Sequence, residues 1–568
     1  MAKDRVIYND DFETQIWGRW ARTAQELHDI VCEVRGTAVT TYAVKVCEYD
    51  NKNFYVGNKK GIDWSQIDFL SFGEKWRDYQ EAANILRAMH DAGQPAFKTY
   101  IDACRDMGIR CTATFRMNDW HGPEPLDMKG SADISFWVKQ HPQFAVREPA
   151  TGRIMRLADF RHQQVRDYRL EVLKEILTDF DFDGVELDFM RSCWYFSPDY
   201  VRSSFGFILP QRFDELAPCL TDFICKVRDF LDDLGKQRGR EMTLGCRVPD
   251  RPETARGIGF DVPAWIRAAR LTYICPSGYQ GMSIQLPAER WKAMCAGTDC
   301  GVYPMICPGF CTERFGQGFY ETPFYAAAAQ NHYYGGADGA SIFNHFCPPL
   351  KHYGSIPMNA ESISVIGSPQ EAQKAPQHYY FNHELDVPVP TEAAISMTGS
   401  DGPRLSIEGL RATYRFRFGL DLAATGKQLT CMRFKLFDLT PEDEVDIDLN
   451  GTALPCAMSW RHRKVKGTGI PGPRYIQVGQ VERYVGEPIC DDLREAALAA
   501  IEVPLFQRPE ARQEEGMHIF MLAEADTGAA ASALQCGENI LGVTLKRRRP
   551  GATVEGSVNE VELITSGE

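Results

Sequence analysis

The stretch Asp-Phe-Asp-Gly-Val-Glu-Leu-Asp-Phe-Met-Arg, from Asp181 to Arg191, constrains this chain more than any other. Read as a β-strand, it places Val185, Leu187 and Phe189 on one face and Gly184, Glu186, Asp188 and Met190 on the other, because successive side chains alternate. An apolar face backed by a face with two carboxylates fits the wall of an α/β barrel. The apolar set packs under helices, the acids point into the lumen, and Asp188 lies nearer the carboxyl-terminal mouth where such barrels keep their chemistry. Acids locked in structural ion pairs would give the same pattern. Burying two of them without a task is costly unless both are paired, which favours a functional reading.

Around this stretch, β-like runs alternate with helical patterns up to about residue 350, the signature of a parallel α/β sheet. Eight runs are strand candidates: Val6 to Asp10, Val39 to Val46, Ile109 to Met117, Gly184 to Phe189, Met242 to Val248, Leu271 to Pro276, Gly301 to Ile306 and Gly339 to Asn344. Eight is the number that a (β/α)8 TIM barrel closes with. Helical periodicity falls between them, most clearly from Gln211 to Leu234, where Phe213, Leu216, Leu220, Phe223, Val227, Phe230 and Leu231 recur at helical spacing. Two stretches break the rhythm, about 50 to 95 and about 118 to 160. Both come after candidate strands and are expected to lie over the mouth as parts of a substrate pocket.

Between residues 350 and 390 the prolines accumulate, and the chain beyond them is rich in short strands punctuated by Gly, Pro and Asn. The expected organisation is α/β, with a (β/α)8 TIM barrel catalytic domain over residues 1–385 and a C-terminal β-sandwich, jelly-roll-like, over 386–568. Asp448-Leu449-Asn450-Gly451 carries an Asn-Gly hairpin signal.

Composition narrows the partners. With 44% hydrophobic and 25% charged residues, the chain is of the soluble globular kind, and a net charge of -14 leaves no broad cationic field for nucleic acid or an anionic membrane. The one basic run, Lys546 to Arg549, reads as a solvated turn. No apolar run reaches the length of a membrane span. Eighteen cysteines without a paired framework, behind a charged amino terminus, read as reduced thiols of a cytoplasmic protein.

The same alternation assigns the neighbouring strands. It turns Thr112, Thr114, Arg116 and Asn118 inward before the central strand and Thr243, Gly245 and Arg247 inward after it. Arg116, Asn118, Glu186, Asp188 and Arg247 thus converge, each arginine being either a structural partner of the acids or a substrate contact. Nearby guanidinium groups are expected to lower the carboxylate pKa values, which suits a nucleophile or base better than an acid. Two residues along a strand span roughly 6.4 to 6.8 Å, near the boundary between retaining and inverting carboxylate separations, so spacing does not decide stereochemistry. A general acid is sought at other strand ends, with Asp250 and Asp119 first and Asp10, Asp11, Glu48, His345 and Tyr279 behind them. The spacing of His121, His332 and His345 matches no compact ligand motif, so neither metal nor cofactor is expected. Among the aromatic residues near the mouth, Trp64, Trp76, Trp120, Trp194, Tyr279 and Tyr303 included, Trp194 is the favoured platform for a sugar ring.

These residues resemble glycoside hydrolases of the α/β-barrel kind, especially glycosyl-hydrolase-like family 10. The resemblance rests on Asp183 to Arg191, on Phe115-Arg116-Met117-Asn118-Asp119, and on Gly336 to Asn344, within the first 350 residues. It implies a sugar-cleaving role. The central strand is also similar to the family 18 chitinase pattern Asp-Gly-x-Asp-x-Asp-x-Glu, but Met190 stands where that pattern has its catalytic Glu. The expected function is hydrolysis of an oligosaccharide or glycoside by Asp188 and Glu186 with Asp250 or Asp119. Arg116, Asn118, Arg247, Trp120, His121, Trp194, Tyr279, Asn344 and His345 are the expected substrate contacts. A metal-dependent sugar lyase or isomerase and a non-catalytic carbohydrate-binding protein are the alternatives. The carboxyl-terminal domain is open to three roles: binding carbohydrate, covering the barrel, or a subunit contact in a homo-oligomer.

Overall fold

The computed structural model describes residues 5–12, 16, 21–48, 52–119, 136–202, 205–278, 284–306, 322–343, 360–382, 404–405, 408–437, 439–465, 474–478, 481–485, 516–550 and 556–566. The chain divides into two units, one formed by Met1–Gln280, Leu286–Met305 and Ala337–Met358, the other by Gly281–Gln285, Ile306–Gly336 and Asn359–Glu568.

The first unit is built on nine strands: β1 (Val6–Asp10), β2 (Val39–Glu48), β3 (Arg110–Arg116), β4 (Gly184–Asp188), β5 (Thr243–Pro249), β6 (Tyr273–Ser277), β7 (Gly301–Val302), β8 (Met305–Ile306) and β9 (Ala340–Phe343). They hydrogen-bond in the order β7-β6-β5-β4-β3-β2-β1-β9-β8. Pairing is parallel from β6 through β1 to β9. The two ends of that order lie on one short segment. Between them the Tyr303 N–H donates to the Ile274 carbonyl at 2.9 Å, and the Ser341 N–H donates to the Pro304 carbonyl at 3.0 Å. The sheet is therefore curled and barrel-like, with seven of the eight expected strands in place and the eighth, Gly301 to Ile306, divided into two short ones.

Helices α1 (Ala24–Val31), α2 (Arg77–Asp91), α3 (Ala96–Met107), α4 (Gln163–Asp179), α5 (Phe213–Arg238), α6 (Val262–Ala268) and α7 (Ala288–Met294) fall between these strands. Local chemistry explains where they begin and end. α1 opens on a capping box in which the Thr23 hydroxyl accepts the Glu26 N–H and the Glu26 carboxylate accepts the Thr23 N–H. α5 buries Phe213, Leu216, Leu220, Phe223, Val227 and Leu231, and stops where Gly239 turns left-handed at φ 65°.

The sequence predicts a pocket-forming role for residues 50 to 95, and within that stretch the structure also builds core. α2 buries Ala82, Ala83, Leu86 and Met89. Trp64 is 2% exposed and packs its ring 5.4 Å from Phe54 and 4.8 Å from Phe69. These aromatics form core, because their apolar area is worth more buried together than displayed.

Two inward positions, one on β4 and one on β5, admit only glycine because side chains of the neighbouring strands fill the space. A Cβ on Gly184 would lie 1.9 Å from the Thr243 hydroxyl, and one on Gly245 would lie 2.1 Å from the Tyr273 ring.

In the second unit, one antiparallel sheet runs Gln377–Asn382, Gly556–Thr565, Leu429–Phe437, Gly516–Ala525 and Cys456–Val465. The other runs Arg411–Phe418, Gly537–Arg547, Glu444–Leu449 and Thr452–Ala453. Their aromatic faces meet: Tyr379 lies 4.7 Å from Phe418 and Phe381 lies 5.2 Å from Phe416, ring centre to ring centre. The hairpin expected at Asn450-Gly451 is present, with both residues at positive φ (53° and 82°) and Leu449 paired to Thr452. Because Gln377–Asn382 pairs with Gly556–Thr565, the second unit reaches back past residue 386. A strand expected from Ala500 to Val503 lies outside the described residues. No helix among the described residues is long and apolar enough to cross a membrane.

Candidate active site

Three parallel strands place the central side chains. Asp188 is register-paired with Arg116 on β3 and Arg247 on β5, and one layer deeper Glu186 is paired with Thr114 and Gly245. Both acids are 0% exposed. Asp188 is held at both oxygens: Oδ2 accepts from Arg247 Nη1 at 3.2 Å, and Oδ1 accepts the Met190 N–H at 2.8 Å. Arg247 is fixed in turn. Its Nε and Nη2 donate to the Ser277 hydroxyl at 3.2 and 3.1 Å, and its guanidinium lies 4.1 Å from the centre of the Phe343 ring.

Glu186 has different company. Asn9 on β1 donates to Oε1 at 2.7 Å, and the Cys275 thiol on β6 donates to Oε2 at 3.6 Å. Burial first, and then the neighbouring charge of Asp188, push its pKa up from 4.5 to about 7 against the pull of Arg247. Arg247 does lower it, as expected, but the net shift is upward, because burial and Asp188 outweigh a guanidinium whose hydrogen bonds go to Asp188 and Ser277 and leave Glu186 only neutral donors. A raised folded pKa means that between pH 4.5 and about 7 the folded chain holds a proton that the unfolded chain has lost, so stability falls as pH rises through that window. Replacing Glu186 by Gln should flatten that fall by about 3 kcal/mol. Urea midpoints of wild type and variant at about pH 5 and about pH 8 check it, and parallel curves for the two proteins would refute it.

A second charged cluster lies beside the first. Arg116 turns away from Asp188, although the two are in register; its Nη1 donates to Asp119 at 2.8 Å and its Nη2 bonds Asp11. Lys45 lies 3.4 Å from Asp11, and Arg191 lies 3.7 Å from Asp119. Lys45, Arg116 and Asp119 are all buried. Burial raises the Asp11 pKa, but Arg116, Lys45 and Arg191 outweigh it and hold the carboxyl well below its usual range. Arg116 therefore serves Asp11 and Asp119 rather than the central acids, whose need for a cation Arg247 already meets.

No protein-family model matches the chain and no curated protein does, so the likeness to glycosyl-hydrolase-like family 10 rests on its motifs alone. Among solved structures it is similar to a Paenibacillus cycloisomaltooligosaccharide glucanotransferase complexed with cycloisomaltoheptaose, at 9% identity over 95% of this chain and 57% of that one, with a TM-score of 0.34. It is similar also to the galactosidase domain of an alpha-galactosidase-sucrose kinase, at 12% identity over 92% and 55% of the two chains, with a TM-score of 0.34. A GH138 enzyme targeting pectin rhamnogalacturonan II shares 11% identity over 60% and 34%, with a TM-score of 0.35. The chain spans little more than half the length of the first two. At such scores the site has to be read from its own geometry.

The other expected residues have different surroundings. Asn118 clamps loops, donating to the carbonyls of Ala158 at 3.0 Å and Trp194 at 2.9 Å and accepting the Ala158 N–H at 3.3 Å. Trp194 is 4% exposed and packs with Val146, Met155 and Leu157, beneath the hairpin of Ala145–Arg147 and Ile154–Ala158. Asp250 comes directly after β5 and is half-buried; its backbone carbonyl accepts from the Trp291 indole at 2.7 Å, and its charge raises the pKa of the Cys193 thiol alongside burial and Asp188. Trp120, His121, Tyr279, Asn344 and His345 lie outside the described residues. Among the described residues no group of three or more His, Cys, Asp or Glu could hold a metal ion.

Asn9, Lys45, Cys275 and Ser277 also belong to the two clusters and escape the strand-by-strand reading. One signal points to one of them: Lys45 is the lone charged residue in a run that is otherwise apolar or small, Ala43-Val44-Lys45-Val46.

Proposed function

We propose that the chain is a cytoplasmic glycoside hydrolase acting on an oligosaccharide or glycoside, built as a closed (β/α)8 barrel with an accessory β-sandwich. Asp188 is its nucleophile or base with Glu186 as its partner, Arg247 orients Asp188, and Asp250 is the proton donor. One observation carries the reading: at the carboxyl-terminal end of β4, an acid clamped by a guanidinium from β5 stands two residues above a fully buried acid held by neutral donors, whose pKa is raised to about 7. Environments that set two neighbouring carboxyl groups apart in this way are what acid–base chemistry on sugars needs. Asp119 is the weaker choice of donor, because two arginines clasp it and a carboxylate so held accepts hydrogen bonds rather than giving a proton. The two ends of the strand order on one segment support closure, the aromatic contacts between the antiparallel sheets support the sandwich, and the free thiols of every described cysteine support the compartment.

A second reading, a carbohydrate-binding protein without turnover, is favoured by a different observation. All four carboxyl oxygens of Asp188 and Glu186 already have a protein donor, and neither residue is exposed. Incubation with a panel of nitrophenyl glycosides and oligosaccharides, then product analysis with and without chelator, separates the readings. Chelator-insensitive release of sugar is expected. Activity lost with chelator and restored by a divalent ion identifies a metal-dependent lyase or isomerase, and tight binding without product identifies the binding protein.

A further inference from the structure

Glu186 is gripped from opposite walls of the sheet by two side chains that have no part in the proposed turnover. Asn9 comes from β1 and is itself tied to the Thr114 hydroxyl on β3 at 3.1 Å, while Cys275 comes from β6. Asn9, Thr114 and Cys275 are all buried, Asn9 at 2% exposure being the least enclosed. Polar side chains are expensive to bury, and these converge on one carboxyl group two residues below Asp188. We infer that Asn9 and Cys275 are positioning residues: each holds one oxygen of Glu186, and through the charge that Glu186 carries they tune Asp188. This rests on Asp188 being the reacting carboxylate.

The direction of the effect comes from the donors. Both favour the carboxylate form, yet both are neutral, and a thiol is a weak donor. The charged neighbours are Asp188 on the same strand, which opposes ionisation, and Arg247 on β5, which favours it. The Cys275 thiol on β6 faces Glu186 too, and burial first, then Glu186 itself, push it well up, so it stays protonated; Cys246 on β5 lies on the other face of the sheet, level with Leu187, and is pushed up by the same two causes. β1 and β3 contribute only the neutral Asn9 and Thr114. Losing a neutral donor therefore leaves Glu186 more readily protonated, and a stronger donor in the place of the thiol leaves it less so.

The experiment is an infrared titration of the protonated carboxyl carbonyl in the full chain, which needs no substrate. Glu186→Gln should remove the band that titrates near neutral pH. Asn9→Ala should move its midpoint up by about one pH unit, and Cys275→Ser, the milder change, should move it down. The same limb of the kcat pH profile should move in the same directions in any assay that detects turnover. A merely structural role would not give shifts of opposite sign. Unmoved midpoints, or shifts of the same sign in both variants, would overturn the clamp. Shifted midpoints with an unmoved kinetic limb would overturn the action on Asp188. Absence of turnover on every glycoside would count against the hydrolase and leave the titration standing as a test of the clamp.

Discussion

Asp188→Asn is expected to lower kcat by about a thousandfold or more, because a nucleophile or base that loses its charge forfeits about 4 kcal/mol or more of transition-state stabilisation. The same change affects the fold. Asn can still accept the Met190 N–H, but it leaves the Arg247 guanidinium, 0% exposed, without its counter-charge. Breaking a buried pair from one side costs about 3 to 5 kcal/mol, so lower stability alone would mimic a catalytic defect. The double variant Asp188→Asn with Arg247→Met resolves the two. Removing both charges together should regain most of the lost stability, as exchange of buried pairs for apolar groups often does, without regaining turnover. Urea unfolding and initial rates on the same preparations measure both effects. Turnover that returns with stability would remove Asp188 from the chemistry.

The part of the site carried by local period was legible. A strand alternates with period two whatever it pairs with, so the inward set Thr114, Arg116, Glu186, Asp188 and Arg247 could be read from the sequence and reappears in the register of β3, β4 and β5. The Asn450-Gly451 turn was legible for a similar reason: its backbone demand falls on two adjacent residues. The part that was not legible depends on the curl of the sheet. Asn9 reaches Glu186 across 177 residues of chain, and no strand-by-strand reading brings β1 and β6 to the same carboxyl group.

Side-chain direction beyond the strand ends was the other blind spot. Arg116 stands level with Asp188 but bonds Asp11 and Asp119, because a long side chain can choose among acids that the backbone register does not distinguish. Trp194 comes soon after Asp188 in the chain and so reads as a sugar platform. The hairpin partner strands around Val146 and Leu157, some forty residues upstream, make it core instead. The charge state of Glu186 could not be read at all, since burial decides it and burial is a property of the assembled lumen. The α2 periodicity, Ala82, Ala83, Leu86 and Met89, is present in the sequence but is obscured by the aromatic and charged residues around it.

Arg116→Met should destabilise the first unit by about 3 to 5 kcal/mol at neutral pH, since Arg116 is 2% exposed and bonds two carboxylates at once. Lys45 and Arg191 would remain, at 3.4 Å from Asp11 and 3.7 Å from Asp119, and so soften the loss without cancelling it. The pH dependence tests the cause. Asp11 has a folded pKa held below its ordinary 3.8, so its stabilisation is present above that value and is lost as pH falls below it toward the folded pKa. In the wild type, stability should therefore drop steeply on acidification below about pH 4. The variant has lost the cation that does most to lower the Asp11 pKa, so its drop over the same range should be shallower, and the two curves should converge in acid. Urea midpoints from about pH 7 down to about pH 3 show whether they do. Curves that stay parallel over that range would mean that Arg116 acts by packing its side chain and not by charge. In that case Asp11 and Asp119 would no longer form one electrostatic unit with it.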